Sequence, residues 1–377
     1  MVEKLLFRAA SFSKERPLSS HLSRLILTIS FTLLAQGLPL SGHAQALSGA
    51  GSSAAVPVYR AWATAYGRTQ AFFQLNYDPV GSTAGLKKIR AKEVGFGASD
   101  VAPPEQELIQ DGLVLVPTFV SGAVPIVNLP KIGHGKLRLS GEVLASIFLG
   151  HITRWNAPEI QSLNSGLNLP DLPIKPVVRS DGSGTTYYFS DYLSKVSPAW
   201  KERMGVKTTM AWPTGFTGAK GSEGQAKAVK ETTGAIGYID FNYISSHGLN
   251  PVQLRNAGGE FVAPGVDSFR AALRASAWFS EGDFHASLAN LPGKDSWPIT
   301  MGSFILVPQV SDKSAETIQA LRFFVWALLK GDQVVEGMSF VRLPSKIQAL
   351  AFKALSSVTD RQGKTIGMEA WKAISTQ

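Results

Sequence analysis

The sequence predicts an α/β fold, on two observations. Strand-like apolar runs alternate along the chain with stretches whose apolar residues recur at helical spacing. Several joints between them are short segments of Gly, Ser and Thr, the composition of tight turns that open helices. The 377 residues are 44% hydrophobic and 17% charged, a globular balance that excludes a disordered chain. At about 150 residues per domain, the length suggests two domains. The alternation places helices over largely parallel sheets.

The first 46 residues read as a segment apart. Lys4, Arg8, Lys14, Arg16 and Arg24 give a basic start, and Leu25 to Leu40 is almost uncharged and mostly apolar. Ala44 and Ala46 then form an A-x-A arrangement. This is the order of a secretory signal. The apolar run contains Pro39 and is short for a spanning helix. Residues 1–46 are therefore expected to be a cleaved signal peptide and the remainder exported.

The elements follow in order. Val58, Trp62 and Ala65 recur at helical spacing, and residues 72–77 (FFQLNY) read as a strand. Leu113–Val120 and Ala123–Val127 read as two buried strands, and Ile174–Arg179 as a third that runs into a Gly-rich turn. Ile236–Ile239 and Phe304–Val307 add two more. Ile318, Leu321, Phe324 (or Val325) and Leu328 mark a long helix, with Gly331 as its expected stop. No repeat and no low-complexity linker interrupts the chain, so a domain boundary must be a tight crossover.

Composition removes several chemistries. There is no cysteine, which excludes disulfides, thiolate metal sites and thiol catalysis. Lys and Arg number 37 against 28 Asp and Glu, but the excess is scattered and forms no dense basic run, so no nucleic-acid partner is expected. His134, His151, His247 and His285 are far apart, with no H-e-x-x-H spacing for a metal. No G-x-S-x-G elbow and no phosphate loop of the G-x-x-x-x-G-K type is present. Gly215–Gly224 contains Lys220 but lacks that spacing and reads as a loop.

Four segments share the chemistry of anion capture: Gly49–Ala54, Gly81–Gly85, Phe96–Asp100 and Arg179–Thr185. Helix N-termini leave backbone N–H groups unpaired, Gly permits close approach, and Ser and Thr add rotatable donors. Any one such segment is equally a turn or a helix cap. Arg179 ends an apolar strand, and its planar fork matches an oxyanion. Asp181, two residues on, can brace that fork. Asp100 is a carboxylate among anion-binding segments. Ionised, it accepts only, so it can take a hydrogen bond from a protonated anion and reject one with no proton to give. The alternative for Asp100 is an N-cap for the helix that starts at Pro103-Pro104-Glu105.

At these residues the chain resembles the periplasmic phosphate-binding proteins of ABC-type phosphate importers. The resemblance runs through LSGAGSSAAVPVYRAWATAY (47–66), VGSTAGLKKI (80–89), VGFGASD (94–100), LGHITRWN (149–156), VVRSDGSGTTYYF (177–189), GAIGYIDF (234–241) and WPITMGSFIL (297–306). It implies a two-lobed, hinged periplasmic binding protein fold (type II-like) with the ligand in the cleft between lobes. The implied phosphate contacts are Ser53, the Ala54 N–H, Ser82, Asp100, Arg179, Ser183, Gly184 and Thr185, with Asp181 supporting Arg179. The family usually has Thr-Phe-Pro where this chain has Ser53-Ala54-Ala55, so an aromatic wall is replaced by a methyl. The implied crossings lie near Phe119–Ala123 and Trp297–Gly302. Lobe one is then 47–121 with 300–377, and lobe two 122–299. The implied partners are inorganic phosphate and the permease subunits of the importer, for a monomer without cofactor, metal or enzymatic activity. The alternatives are a secreted phosphate binder with phosphatase-like activity, and a carrier of another tetrahedral oxyanion.

Overall fold

A nine-stranded sheet organises the chain, which is seen in a computed structural model that describes residues 46–334 and 338–375. Nearly all of the expected secretory segment, residues 1–45, lies outside these. The strands are β1 (Leu47–Gly51), β2 (Leu75–Asp78), β3 (Phe96–Ser99), β4 (Leu113–Val127), β5 (Lys175–Arg179), β6 (Thr217–Ala219), β7 (Ala235–Asp240), β8 (Asn250–Pro251) and β9 (Thr300–Pro308). Their order is β2-β1-β3-β9-β4-β7-β5-β6, with β8 on β4. The helices that concern the site are α1 (Val56–Thr69), α2 (Ser82–Arg90), α3 (Glu105–Asp111), α4 (Gly184–Val196), α5 (Gly221–Glu231), α6 (Asn242–His247), α7 (Ser314–Val334) and α8 (Ser345–Ser356).

The sheet is parallel only at its flanks, which corrects the expectation of largely parallel sheets. β1 pairs parallel with β2 and β3, and β5 pairs parallel with β6 and β7. Between these groups β9 and β4 run antiparallel to each other and to their neighbours. The two strands expected over 113–127 are one. Ser121 and Gly122 read as a break, yet neighbours hold them extended: Phe241 N–H donates to the Gly122 carbonyl (3.0 Å), and Ala123 donates to Ile299 (2.9 Å). At about 3.3 Å per residue, β4 is roughly 50 Å long. It pairs with β9 over Leu113–Gly122 and with β7 over Ala123–Val127.

Two further boundaries differ from expectation. β2 begins only at Leu75, because Phe72 is 81% exposed at φ 66° and lies in a turn. Gly331 does not stop α7, which runs to Val334. Its role is close packing: a Cβ there would come 2.7 Å from Trp62 Nε1, and that nitrogen donates to the Gly331 carbonyl at 3.2 Å.

The core is continuous, with an aromatic cluster under each flank. Tyr59 and Trp62 of α1 pack with Phe96, Phe119 and Phe324. On the other side Phe189 of α4 stacks on Tyr238 of β7, ring centres 4.2 Å apart, beside Phe148 and Trp212. Burying each such ring stabilises the fold by about 1.5–3 kcal/mol. Among the described residues, no helix is long and apolar enough to cross a membrane.

Candidate functional site

The site forms where β1, β3 and β5 end and helices begin. Such strand ends in α/β sheets are where ligands bind, because helix N-termini and Gly-rich turns gather there. β1 ends at Gly51 and the chain turns through Ser52–Ala55 into α1. Gly81, at φ 94°, turns the chain into α2. β5 ends at Arg179, and Ser183 caps α4 by accepting the Thr186 N–H (3.2 Å). The first-turn N–H groups of Gly184 and Thr185 are among those a helix leaves without an internal acceptor.

Arg179 is held from below by the aromatic core. Its backbone N–H donates to the Tyr238 hydroxyl (3.3 Å), and Trp212 Nε1 donates to its carbonyl (3.3 Å). Its guanidinium, buried with Asp181, forks onto that carboxylate through Nε (2.7 Å) and Nη2 (2.5 Å). The Gly221 N–H also donates to Asp181 (3.1 Å). Burial works against ionisation of Asp181, but Arg179 and Gly221 outweigh it and hold its carboxyl below the usual range. The pair is therefore neutral overall, which lets a cation lie buried without a bound anion.

Nη2 of Arg179 also donates to Ser53 Oγ (3.2 Å), 126 positions away in the chain. Ser53 Oγ further accepts the Ser222 N–H (3.1 Å) and shares a proton with Ser222 Oγ (2.9 Å). The Tyr243 hydroxyl of α6 donates to the Ser53 carbonyl (2.7 Å). Thr83 makes similar long-range bonds, from its N–H to the Gly182 carbonyl (3.2 Å) and from its hydroxyl to Thr208 Oγ1 (3.1 Å).

Asp100 faces these groups from the end of β3. Its Oδ2 accepts from Ser52 Oγ (2.6 Å) and Ser82 Oγ (3.3 Å), and its N–H donates to Ser82 Oγ (3.2 Å). Among the described residues, no group hydrogen-bonds to its buried Oδ1. Burial pushes the Asp100 carboxyl up to about 6, against the pull of Ser52, Ser303, Arg179 and Ser82. Gly184 lies directly over it: a Cβ there would come 2.5 Å from Asp100 Cβ and 2.8 Å from Ser82 Oγ. Asp100 is not the cap of α3, whose N-cap is Pro104.

The structure thus brings Ser53, Ser82, Asp100, Arg179, Asp181, Ser183, Gly184 and Thr185 to one buried locus. Ala54 is there too, with its N–H donated to Ser52 Oγ (3.1 Å). Sequence reasoning missed Ser52, Ser222, Tyr243 and Tyr77, whose hydroxyl donates to the Ser52 carbonyl (2.7 Å). The signal for Ser222 is the Gly215–Gly224 run, which is not the expected loop: it carries β6 and the first turn of α5. Among the described residues, no cluster of three or more His, Asp or Glu side chains could hold a metal.

A second buried carboxyl whose ionisation burial opposes, Asp240, ends β7. Its Oδ1 accepts the Asn242 N–H (2.9 Å) and Nδ2 (2.6 Å), while burial pushes it up to about 7 against the pull of Asn242 and Ser121, and Asp100 adds to the rise. Below about pH 4 such a group favours the fold fully. As pH rises toward 7 the unfolded chain releases its proton first, and the fold loses on the order of a few kcal/mol. Asp240→Asn, which cannot ionise, should therefore have a Tm advantage over the native chain that widens from pH 4 to pH 8. Thermal melts by circular dichroism, in buffer free of tetrahedral anions, check this. A difference that stays constant with pH means that Asp240 is ionised in the fold.

A family model described as a PBP superfamily domain matches residues 39–287. The phosphate-binding protein PstS of Pasteurella multocida is 41% identical over 343 residues, 91% of this chain and 98% of that protein. The phosphate-binding protein PstS of Haemophilus influenzae is 40% identical over 318 residues, 84% of this chain and 95% of that protein. Among solved structures, a high-affinity periplasmic phosphate-binding protein (PfluDING) bound with phosphate gives a TM-score of 0.64 at 20% identity, covering 84% of this chain and 99% of that one. A human phosphate-binding apolipoprotein gives 0.63 at 20% identity, covering 81% and 93%. At that identity the structures speak for the fold alone, a two-lobed α/β binding-protein architecture.

Proposed function

Since this chain belongs to the PstS family of phosphate-binding proteins, within the PBP superfamily, we propose that it captures inorganic phosphate in the periplasm and delivers it to the permease subunits of an ABC-type importer. The observation that carries this reading is the Arg179–Asp181 pair facing Asp100 at a buried locus. A bound anion meets the Arg179 fork, the hydroxyls of Ser53 and Ser82, and the first turn of α4 around Ser183, Gly184 and Thr185. Asp100 accepts the proton of hydrogen phosphate. Sulfate has no such proton and meets an acceptor-only carboxylate, so its like charge is unrelieved.

The lobes divide at β4 and β9, with 47–121 and 300–377 on one side and 122–299 on the other. This division is supported by the change of partner along β4 at Gly122–Ala123. Hinge motion there would open and shut the cleft. The bonds of Ser53 to Arg179, Ser222 and Tyr243 then join the lobes when shut. Binding without turnover is supported by Ser183, whose hydroxyl accepts the Thr186 N–H as a helix cap. The protein acts as a monomer and without nucleic acid in this reading.

Isothermal titration of the phosphate-stripped protein tests the proposal. Tight one-to-one binding of phosphate, with sulfate bound at least a thousandfold more weakly at pH 8, is expected. Equal binding of both anions, or of neither, overturns it.

A further inference from the structure

Ser52 is held on every side beside Asp100. It is 1% exposed. Its N–H donates to the Ala98 carbonyl (3.0 Å), and its own carbonyl accepts the Tyr77 hydroxyl (2.7 Å). Its Oγ accepts the Ala54 N–H (3.1 Å), which leaves the hydroxyl proton to point at Asp100. The resulting bond to Oδ2 is 2.6 Å, within the range of a hydroxyl on an ionised carboxylate. Ser82, at 3.3 Å from the same oxygen, is the weaker donor. Ser303 also draws the Asp100 carboxyl down, though its Oγ makes no hydrogen bond among the described residues.

We propose that Ser52 is a positioning residue for anion discrimination: its hydroxyl holds Asp100 in the ionised, acceptor-only form on which rejection of a fully ionised anion depends. The proposal rests on the phosphate reading above. Its physical basis is that burial alone favours the neutral acid, which is a donor and welcomes sulfate and phosphate alike. The titratable and charged groups around Asp100 are Arg179 from β5, Asp240 from β7, and Tyr59, Tyr77 and Tyr188 from α1, β2 and α4. Arg179 is the one cation among them, and Asp181 already shares its charge. The hydroxyl of Ser52, at 2.6 Å, is the closest donor to the carboxylate and the largest of the influences that favour its ionised form, ahead of Ser303, Arg179 and Ser82.

The test is carbon-13 NMR titration of aspartate carboxyls in the anion-free protein, with Asp100→Asn assigning the Asp100 signal. In Ser52→Ala the Asp100 midpoint should rise by about one pH unit, a tenfold smaller ratio of ionised to neutral carboxyl at a given pH. Ser52→Cys, similar in size with a weak donor, should behave alike, and Ser52→Thr should restore the native midpoint. The pH at which sulfate begins to compete with phosphate should rise in step. An Asp100 midpoint that is unchanged in both Ala and Cys variants overturns the inference and leaves the phosphate reading standing. If the midpoint moves while the native protein fails to exclude sulfate at pH 8, the phosphate reading falls and the discrimination role with it.

Discussion

Arg179→Ala is expected to lower phosphate affinity by roughly two to four orders of magnitude. Removing one partner of a buried charge pair costs about 3–5 kcal/mol, and each 1.4 kcal/mol is tenfold in affinity. Two effects act together. The anion loses the fork that Nε and Nη2 hold in place, and Asp181 is left as a buried carboxylate without its cation, held by backbone N–H groups such as that of Gly221. The locus then carries Asp100 and Asp181 against an incoming anion. Arg179→Lys should recover little, because an ammonium cannot reach both Asp181 oxygens and Ser53 in one plane. The double variant Arg179→Met with Asp181→Asn removes both charges and separates folding from binding: it should melt near the native Tm and still bind poorly. Calorimetric titration checks each, and an Arg179→Ala protein within tenfold of native affinity places the anion elsewhere.

Asp100→Asn is expected to raise sulfate affinity by about one to three orders of magnitude while phosphate affinity falls modestly. The amide offers a donor where the carboxylate offers only acceptors, and one negative charge leaves a buried site. The native protein should show the same change on the acid side. As pH falls through about 6, Asp100 takes up a proton and becomes a donor, so discrimination against sulfate should decline there. In Asp100→Asn the decline of discrimination around pH 6 should be absent, leaving the pH dependence that phosphate's own ionisation imposes. Competition titrations between pH 5 and 8 decide the matter. A native selectivity that is flat across this range shows that Asp100 does not set it.

The four candidate segments were legible because their chemistry is local. Arg179 and Asp181 are two positions apart, and a strand end followed by a Gly-rich turn throws both side chains toward the same space. Ser183 caps the helix that its own neighbours form. Gly331 shows the limit of such reading. A glycine near a helix end is a reasonable stop, but here Trp62, from a helix more than 260 positions earlier, needs the space its missing Cβ leaves. The break read at Ser121–Gly122 failed for a related reason. A Ser-Gly pair is turn-like in isolation, and pairing on both edges keeps it extended.

Local pattern alone carries the α/β alternation, the four turn segments, and the pairing of a cation with its own carboxylate. Periodicity and turn chemistry depend on residues within a few positions of one another. It takes the strand order to close Ser222 and Tyr243 on Ser53 and to aim the hydroxyl of Ser52, one position before Ser53, at Asp100. Only the fold, too, buries Asp240 enough to raise its carboxyl to about 7. These contacts depend on strand order across the sheet. A hydrogen bond between residues 126 or 190 positions apart leaves no trace in the local pattern of either segment.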